Sequence, residues 1–285
     1  MPHYDLLVIG AGPAGATAAA LAAREGFRVL VVDARPRPEL SPCGELIPSR
    51  ELASQMISGG AISEVYSMLE EVVINGIERI EVDLPRKVVT IQVDMLVVDR
   101  ARLVGALIST ARKLGARVET GIRLSSLSLS SDRASARFAG MGGERVEADW
   151  VIGADGALSK TAEAVGIPRS SGLNLAIGVN FRARDVMALE DTVYMMISPD
   201  VAPGGFAWII PRGGGIFNVG LGVRPWGLVC LDEALSRLKK WVYLRHAEAL
   251  SPPAGRPIPV GGLRRPRPGR IILAGDALGT CVPIN

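Results

Sequence analysis

Cysteine and histidine are scarce in this 285-residue chain, and each scarcity removes a class of function. The three cysteines, Cys43, Cys230 and Cys281, are too few and too scattered for a disulfide framework, and no pair has the spacing of a zinc site. A reducing, cytoplasmic setting is expected. The two histidines, His3 and His246, lie far apart with no cluster of cysteines or carboxylates near either, so no metal centre is expected. Strong charge of one sign is also missing: the net charge is +3 and Lys and Arg are spread along the chain, which argues against a nucleic-acid partner. No uncharged apolar run reaches the roughly 18 residues of a membrane-spanning helix, because Arg24 and Glu25 break the Ala-rich segment after Gly15. Any membrane contact is expected to be peripheral, on the cytoplasmic side. Met1-Pro2-His3-Tyr4-Asp5 enters an apolar strand without the basic stretch of a secretory leader, and none is expected. The chain has no internal repeat and no low-complexity segment.

What is present is material for a core. With 48% hydrophobic residues, the chain can bury one as a single large domain or two intertwined ones. Leu6-Leu7-Val8-Ile9 reads as a strand buried on both faces, Ala14 to Arg24 as a helix, and Arg28-Val29-Leu30-Val31-Val32 as a second buried strand. Together they form one βαβ unit, which implies a parallel sheet. Pro36 to Pro48 reads as a long ordered loop and Ser49 to Leu69 as partly helical. Val72 to Val98 alternates apolar and polar residues as several short strands of an antiparallel sheet. Arg102 to Leu114 returns to helical spacing, Arg117 to Thr120 to a strand, Ser125 to Val146 to a hairpin, and Trp150-Val151-Ile152-Gly153 to a buried strand. Residues from about Gly172 to Val260 carry alternating strands and one amphipathic helix near Leu231 to Leu244. Arg270 to Ala274 is a last buried strand.

Gly10-Ala11-Gly12-Pro13-Ala14-Gly15 is a G-x-G-x-x-G set between a strand and a helix, the context that gives this fingerprint meaning. The first glycine permits the tight turn, the second lets the backbone approach a pyrophosphate, and the third lets helix and strand pack closely. Free N–H groups at the helix start hold the anion. Asp33, at the end of the second strand, suits ribose hydroxyls and repels a 2′-phosphate. This unit alone does not separate FAD from NAD.

Further motifs do. Ile152-Gly153-Ala154-Asp155-Gly156-Ala157-Leu158-Ser159 resembles the G-A-D-G-x-x-S element of the flavoprotein hydroxylase superfamily, which lies close to the dinucleotide. Ile272-Leu273-Ala274-Gly275-Asp276-Ala277 resembles that superfamily's G-D-A element, whose aspartate binds the flavin ribityl hydroxyls. Val98-Asp99-Arg100 before Leu103, Leu107, Ala111 and Gly115 resembles the element whose arginine contacts FAD. Without the resemblance, Asp155 is a turn residue and Arg100 a solvated charge at a helix start. Three segments depart from hydroxylases and resemble the geranylgeranyl reductase family: Ser41-Pro42-Cys43-Gly44-Glu45-Leu46, Gly205-Phe206-Ala207-Trp208-Ile209-Ile210-Pro211-Arg212, and Gly275-Asp276-Ala277-Leu278-Gly279 followed by Pro283. Within that family the segments resemble archaeal enzymes that reduce digeranylgeranylglycerophospholipids. Ile210 stands where the family has a second aromatic and Arg212 where it has lysine, which bears on the tunnel and any headgroup contact there.

The resemblance implies an α/β fold: a Rossmann-type FAD-binding domain with a three-layer parallel sheet (1–70, 96–170 and 264–285) and an inserted antiparallel β-sheet substrate domain (71–95 and 171–263). It implies FAD as cofactor, contacted by Gly10, Gly12, Ala14, Gly15, Asp33, Ala34, Cys43, Gly44, Leu46, Arg100, Leu124, Asp155, Gly275 and Asp276. Phe206, Trp208, Ile210 and Pro211 would line a tunnel for an isoprenoid or geranylgeranylated lipid; read from period two alone, they are equally a core stripe. In the implied reaction, electrons come from NAD(P)H, ferredoxin or another reduced carrier, and no second nucleotide fingerprint is present. Cys43, which the resemblance sets beside the isoalloxazine, is the candidate catalytic acid, since a thiol of reference pKa about 8.5 carries a proton at neutral pH. The basic run Arg264-Arg265-Pro266-Arg267-Pro268-Gly269-Arg270 is read either as a phospholipid-facing patch or as a solvated connector. The family pattern continues past the Pro283 position, so the chain reads as C-terminally truncated. Three alternatives stay open: a flavin hydroxylase or monooxygenase, a quinone-linked dehydrogenase, and an inactive FAD-binding remnant.

Overall fold

The computed structural model describes residues 1–56, 61–140, 145–224, 229–264 and 269–281. The chain divides into two compact units: Met1–Ser41, Ala101–Leu175 and Ile258–Pro283 in the first, Pro42–Arg100 and Ala176–Pro257 in the second. The sequence reading grouped residues 42–70 with the nucleotide-binding segments. They pack instead within the second unit, because Leu46–Pro48 is a strand paired with Lys87–Val98.

In the first unit, His3–Ile9 runs parallel to Val29–Asp33 on one side (Leu7↔Leu30) and to Arg145–Gly153 on the other (Leu7↔Val151). Arg117–Thr120 extends the parallel set beyond Val29–Asp33, and Ile271–Leu273 pairs parallel with the end of Arg145–Gly153. The hairpin Arg123–Leu129 and Ala134–Ala139 adds antiparallel strands at the other end. Leu7, Leu30, Val32, Phe138 and Val151 are buried together, each large side chain contributing roughly 1.5–3 kcal/mol by leaving water. The helix Pro13–Arg24 starts with proline in its first turn and presents Gly15, Ala16, Ala19, Ala20 and Ala23 inward, a small-residue face that lets it lie close to the sheet.

The second unit holds a nine-stranded sheet. Leu175–Arg184, Phe217–Val223, Phe206–Pro211 and Thr192–Met196 follow one another antiparallel, as do Val73–Leu84, Lys87–Val98 and Leu46–Pro48. The two groups join in parallel, Tyr194 opposite Glu81, which departs from the purely antiparallel sheet read from sequence. Thr192–Met196 takes its direction from pairing with Phe206–Pro211, and residues 101–175, which separate it from Val73–Leu84, remove any hairpin constraint. The several short strands expected over 72–98 are two strands of 12 residues, Val73–Leu84 and Lys87–Val98, paired down to Leu84↔Lys87. The amphipathic helix is shorter than expected, Leu231–Leu238, followed by a 3-10 turn at Val242–Leu244.

The two sheet faces differ. Ala207 and Ile209, with Phe217, Val219 and Leu221, pack under Leu235, Leu238 and Trp241. Ile210, with Trp208 beside it, faces the other way, toward Leu46, Ile77, Met95, Val97 and Val193. Among the described residues no helix is long and apolar enough to cross a membrane.

Candidate functional site

The first unit builds a cradle from its glycines. Gly10 has φ +105°, and a Cβ there would lie 2.2 Å from the Ala154 carbonyl oxygen. A Cβ on Gly15 would lie 1.9 Å from the Gly10 oxygen, whereas one on Gly12 would meet nothing within 4 Å. Gly10 and Gly15 are therefore packing requirements, and Gly12 faces open space at the start of the Pro13–Arg24 helix, whose first N–H groups lack acceptors within the helix. That combination fits a pyrophosphate. Ala14 sits at this helix start, and a Cβ on Gly275 would lie 3.0 Å from its methyl, so the Gly275-Asp276 turn borders the same loop. Asp276 is half-buried in the turn Gly275–Ala277.

Asp33 is 3% exposed and accepts from the Ala11 N–H at 2.7 Å, the Arg35 N–H at 2.8 Å, and Arg35 Nε and Nη2 at 3.0 and 2.9 Å. Burial by itself raises its carboxyl, but the hydrogen bonds and charge of Arg35 and the Ala11 N–H together hold it below the usual value. A carboxylate favoured in this way adds stability that is fully present above its unfolded pKa and is lost as pH falls through the lower folded value. Thermal melts between pH 6 and pH 3 should fall more steeply for the wild type than for Asp33→Asn; parallel curves would mean that Asp33 is no better solvated folded than unfolded. Ala34, next in the chain, is exposed.

Asp155 is engaged within the protein. Its oxygens accept from Ser159 Oγ at 2.5 Å and from the Thr161 N–H and Oγ at 3.1 Å each, while Ser159 caps the helix Lys160–Ala164. It shapes the loop that touches Gly10. The Leu124 side chain is buried in the core and its carbonyl accepts from Lys160 Nζ at 3.2 Å. Arg264 joins the ends of this unit, donating to the Ala157 carbonyl at 3.0 Å and to Ser170 Oγ at 2.5 Å, while Arg270 donates to the Ser131 and Asp149 carbonyls. The two ends of the basic run thus serve internal bonds; Arg265 to Pro268, like Pro283, lie outside the described residues.

The second unit clamps the loop that carries Cys43. The Cys43 carbonyl accepts from Asn180 Nδ2 at 2.9 Å and Asn218 Nδ2 at 2.7 Å, and its half-buried sulfur accepts from the Glu45 N–H at 3.4 Å. Glu45 has φ +68°, a strained conformation for a residue with a Cβ. Its side chain, 7% exposed, receives Arg212 Nε at 2.5 Å, and the Arg100 N–H lies 3.3 Å from Oε1. Arg212 is equally buried, with Asp99 at 3.6 Å, and Arg182 stands 3.8 Å from Glu45. Arg212, which stands where the resembling family has lysine, is an internal partner of the Cys43 loop. Arg100 is likewise buried rather than solvated.

Gly44 and Leu46 seat this loop: a Cβ on Gly44 would lie 3.3 Å from Ile210 Cδ1, and Leu46 packs in the cluster with Ile210. Phe206 and Trp208 are half-buried with ring centroids 5.9 Å apart; Ile210 and Pro211 are buried. The stripe is thus core at one end and accessible at the other. Asn180, Asn218 and Glu45 went unassigned from sequence; the one signal was a lone amide inside the apolar run Phe217–Val223.

Neither histidine was expected near carboxylates, but folding brings His3 Nε2 to 3.0 Å from Asp149, with Asp5 also close. Asp149 comes from the strand Arg145–Gly153, so only tertiary folding brings it to His3. Arg28 donates to His3 Nδ1 at 3.0 Å and to Asp5 at 3.3 Å, which puts a cation among these groups already.

Comparison with known proteins bears on both units. The FAD binding domain family matches residues 3–229. A digeranylgeranylglycerophospholipid reductase of Methanosphaerula palustris is 32% identical over 225 residues, 78% of this chain and 56% of that protein. A menaquinone reductase of Mycobacterium tuberculosis is 29% identical over 309 residues, 99% of this chain and 72% of the relative. A geranylgeranyl bacteriochlorophyll reductase-like protein from Thermoplasma acidophilum shares the fold, with TM-score 0.81 at 23% identity over 98% of this chain and 72% of that structure. The chain spans little more than half the length of the archaeal relative. The sequence relatives support the resemblance to geranylgeranyl reductases, and the Thermoplasma structure shows the shared fold.

Proposed function

As the chain belongs to the FAD-binding domain family and takes FAD as its cofactor, we propose that it reduces isoprenoid C=C bonds, with geranylgeranylated membrane lipids as the substrate class. The observation that carries this reading is in the second unit, where a clamped cysteine loop packs against a strand whose Phe206 and Trp208 stay accessible on an apolar face. Reduced FAD supplies a hydride. Saturating an alkene also needs a proton, and we assign that proton to the Cys43 thiol, which regains it from solvent. Gly10, Gly12, Gly15, Asp33, Gly275 and Asp276 would hold the cofactor, and Asp155 and Leu124 shape the loops of the same unit. The two electrons come from NAD(P)H, ferredoxin or another reduced carrier, and the setting is cytoplasmic at a membrane face.

Anaerobic reduction with dithionite, addition of a geranylgeranylated glycerophospholipid, and mass spectrometry test the reading. Products should gain two hydrogens per step; no gain by flavin-loaded protein would overturn it. Cys43→Ala and Cys43→Ser should lower turnover about 100-fold or more with flavin content kept, and unchanged turnover removes the acid role. A second reading follows from the relative named menaquinone reductase, which matches nearly the whole chain: the substrate is then a quinone. Offering menaquinone in place of the phospholipid separates the two: a two-hydrogen gain that air reverses is reduction of the quinone ring, and one that persists is saturation of an isoprenoid double bond.

A further inference from the structure

Asn218 is 2% exposed, second in an otherwise apolar strand, and an uncompensated amide buried there is costly. Every bond described for its side chain leads to the Cys43 carbonyl, to Trp208, or to Asn180, which itself donates to the Cys43 carbonyl. Its Nδ2 donates to the Cys43 carbonyl at 2.7 Å; its Oδ1 accepts from Trp208 Nε1 at 3.1 Å and from Asn180 Nδ2 at 3.0 Å. Strand register puts these groups on one face: Asn218 is opposite Ile210 and Gly220 opposite both Trp208 and Asn180. The indole is held from below as well, because a Cβ on Gly220 would come within 2.4 Å of its ring. A purely structural strand position would be filled more cheaply by an apolar residue, whereas here the half-buried Trp208 is joined through one amide to the backbone of Cys43.

We propose that Asn218, supported by Asn180, is a positioning residue that couples occupancy of the Trp208 face to the placement of the Cys43 thiol. This deepens the reading of the second unit as a site for an isoprenoid chain and rests on it. A chain lying on the indole then limits the motion of Trp208 Nε1 and, through the bonds already in place to Asn218 and the Cys43 carbonyl, of the loop that carries the thiol.

The test uses flavin-loaded protein with Cys230→Ser and Cys281→Ser, leaving Cys43 as the single thiol. Iodoacetamide labelling of Cys43 is followed by mass spectrometry with and without geranylgeraniol, alongside kcat and KM. In this background geranylgeraniol should change the labelling rate at least about threefold. Asn218→Leu should abolish that dependence and lower kcat about 100-fold with KM within about twofold, the size of loss that a misplaced group causes. Trp208→Phe, which keeps a ring and removes Nε1–H, should lose the dependence too, and the double variant should add nothing further. Melting temperature and flavin content identify variants that merely fail to fold, for which Trp208→Phe stands in. Ligand-dependent labelling that survives in Asn218→Leu or Trp208→Phe overturns the coupling. A Cys43→Ala protein with full turnover refutes the acid role instead, and the labelling result, which needs no turnover, still decides the coupling.

Discussion

Gly10→Ala should lower the melting temperature by about 10 °C, while Gly12→Ala, two residues on, should leave the fold nearly intact and lose FAD. At Gly10 the backbone is left-handed, φ +105°, and the added carbon would overlap the Ala154 carbonyl at 2.2 Å. Ala154 cannot retreat easily, since its N–H donates to the Ile9 carbonyl at 2.7 Å within the sheet. Strain and overpacking together cost about 3 kcal/mol or more, which for a unit of this size gives the predicted shift. Gly12 has φ −69° and ψ −177°, which alanine adopts freely, and its Cβ would point into open space. Replacing glycine by alanine at a helix N-cap costs at most about 1 kcal/mol. The same carbon obstructs the approach of a pyrophosphate to the helix N-terminus, and losing two charge-assisted hydrogen bonds weakens FAD about 100-fold. Far-UV melting without flavin, paired with FAD titration by fluorescence, reads both effects. If melting temperature and affinity fall together in Gly12→Ala, the division between packing and ligand-facing glycines is wrong.

Arg212→Ala carries the second large effect, a loss of about 3–5 kcal/mol in the second unit, because it strands Glu45 in the interior without its partner. Both side chains are only 7% exposed and meet at 2.5 Å. The pair also keeps Glu45 at φ +68°, a conformation costing about 1 kcal/mol or more that the surroundings must enforce. Replacing both residues, Arg212→Met with Glu45→Met, removes the charges together and should recover most of the stability, as apolar replacement of buried pairs often does. Turnover should not recover, because the Glu45 N–H that meets the Cys43 sulfur is then no longer locked. Urea unfolding and lipid-reduction assays on the three proteins separate the two quantities. A double variant with full turnover would show that the buried pair serves stability alone.

Parts of this molecule are legible as local pattern. The G-x-G-x-x-G between an apolar run and an Ala-rich helix, with Asp33 closing the next run, involves residues that touch within one βαβ unit, and the glycine roles read there match the spaces around Gly10, Gly12 and Gly15. Period two correctly put Phe206, Trp208 and Ile210 on one face, though not whether that face was core or accessible. Motif likeness pointed to FAD because those short segments keep their chemistry wherever they lie. Asp155 shows the limit of such reading: its motif is plain in sequence, yet the carboxylate spends its bonds on Ser159 and Thr161.

The sequence by itself determined the glycine turn, the first parallel βαβ unit and the kinship with flavin reductases, since each rests on short segments whose residues lie close together in the chain. Only the tertiary structure decided what surrounds Cys43. Asn180 and Asn218 reach its carbonyl from strands 137 and 175 residues away, and Arg212 reaches Glu45 across 167. Which polar group a buried donor meets depends on strand register between remote segments, and a shift of one residue would turn each of these side chains to the opposite face. Hydrophobic periodicity specifies the face of a strand but not its neighbour, so the clamp on the cysteine loop exists only once the sheet has closed.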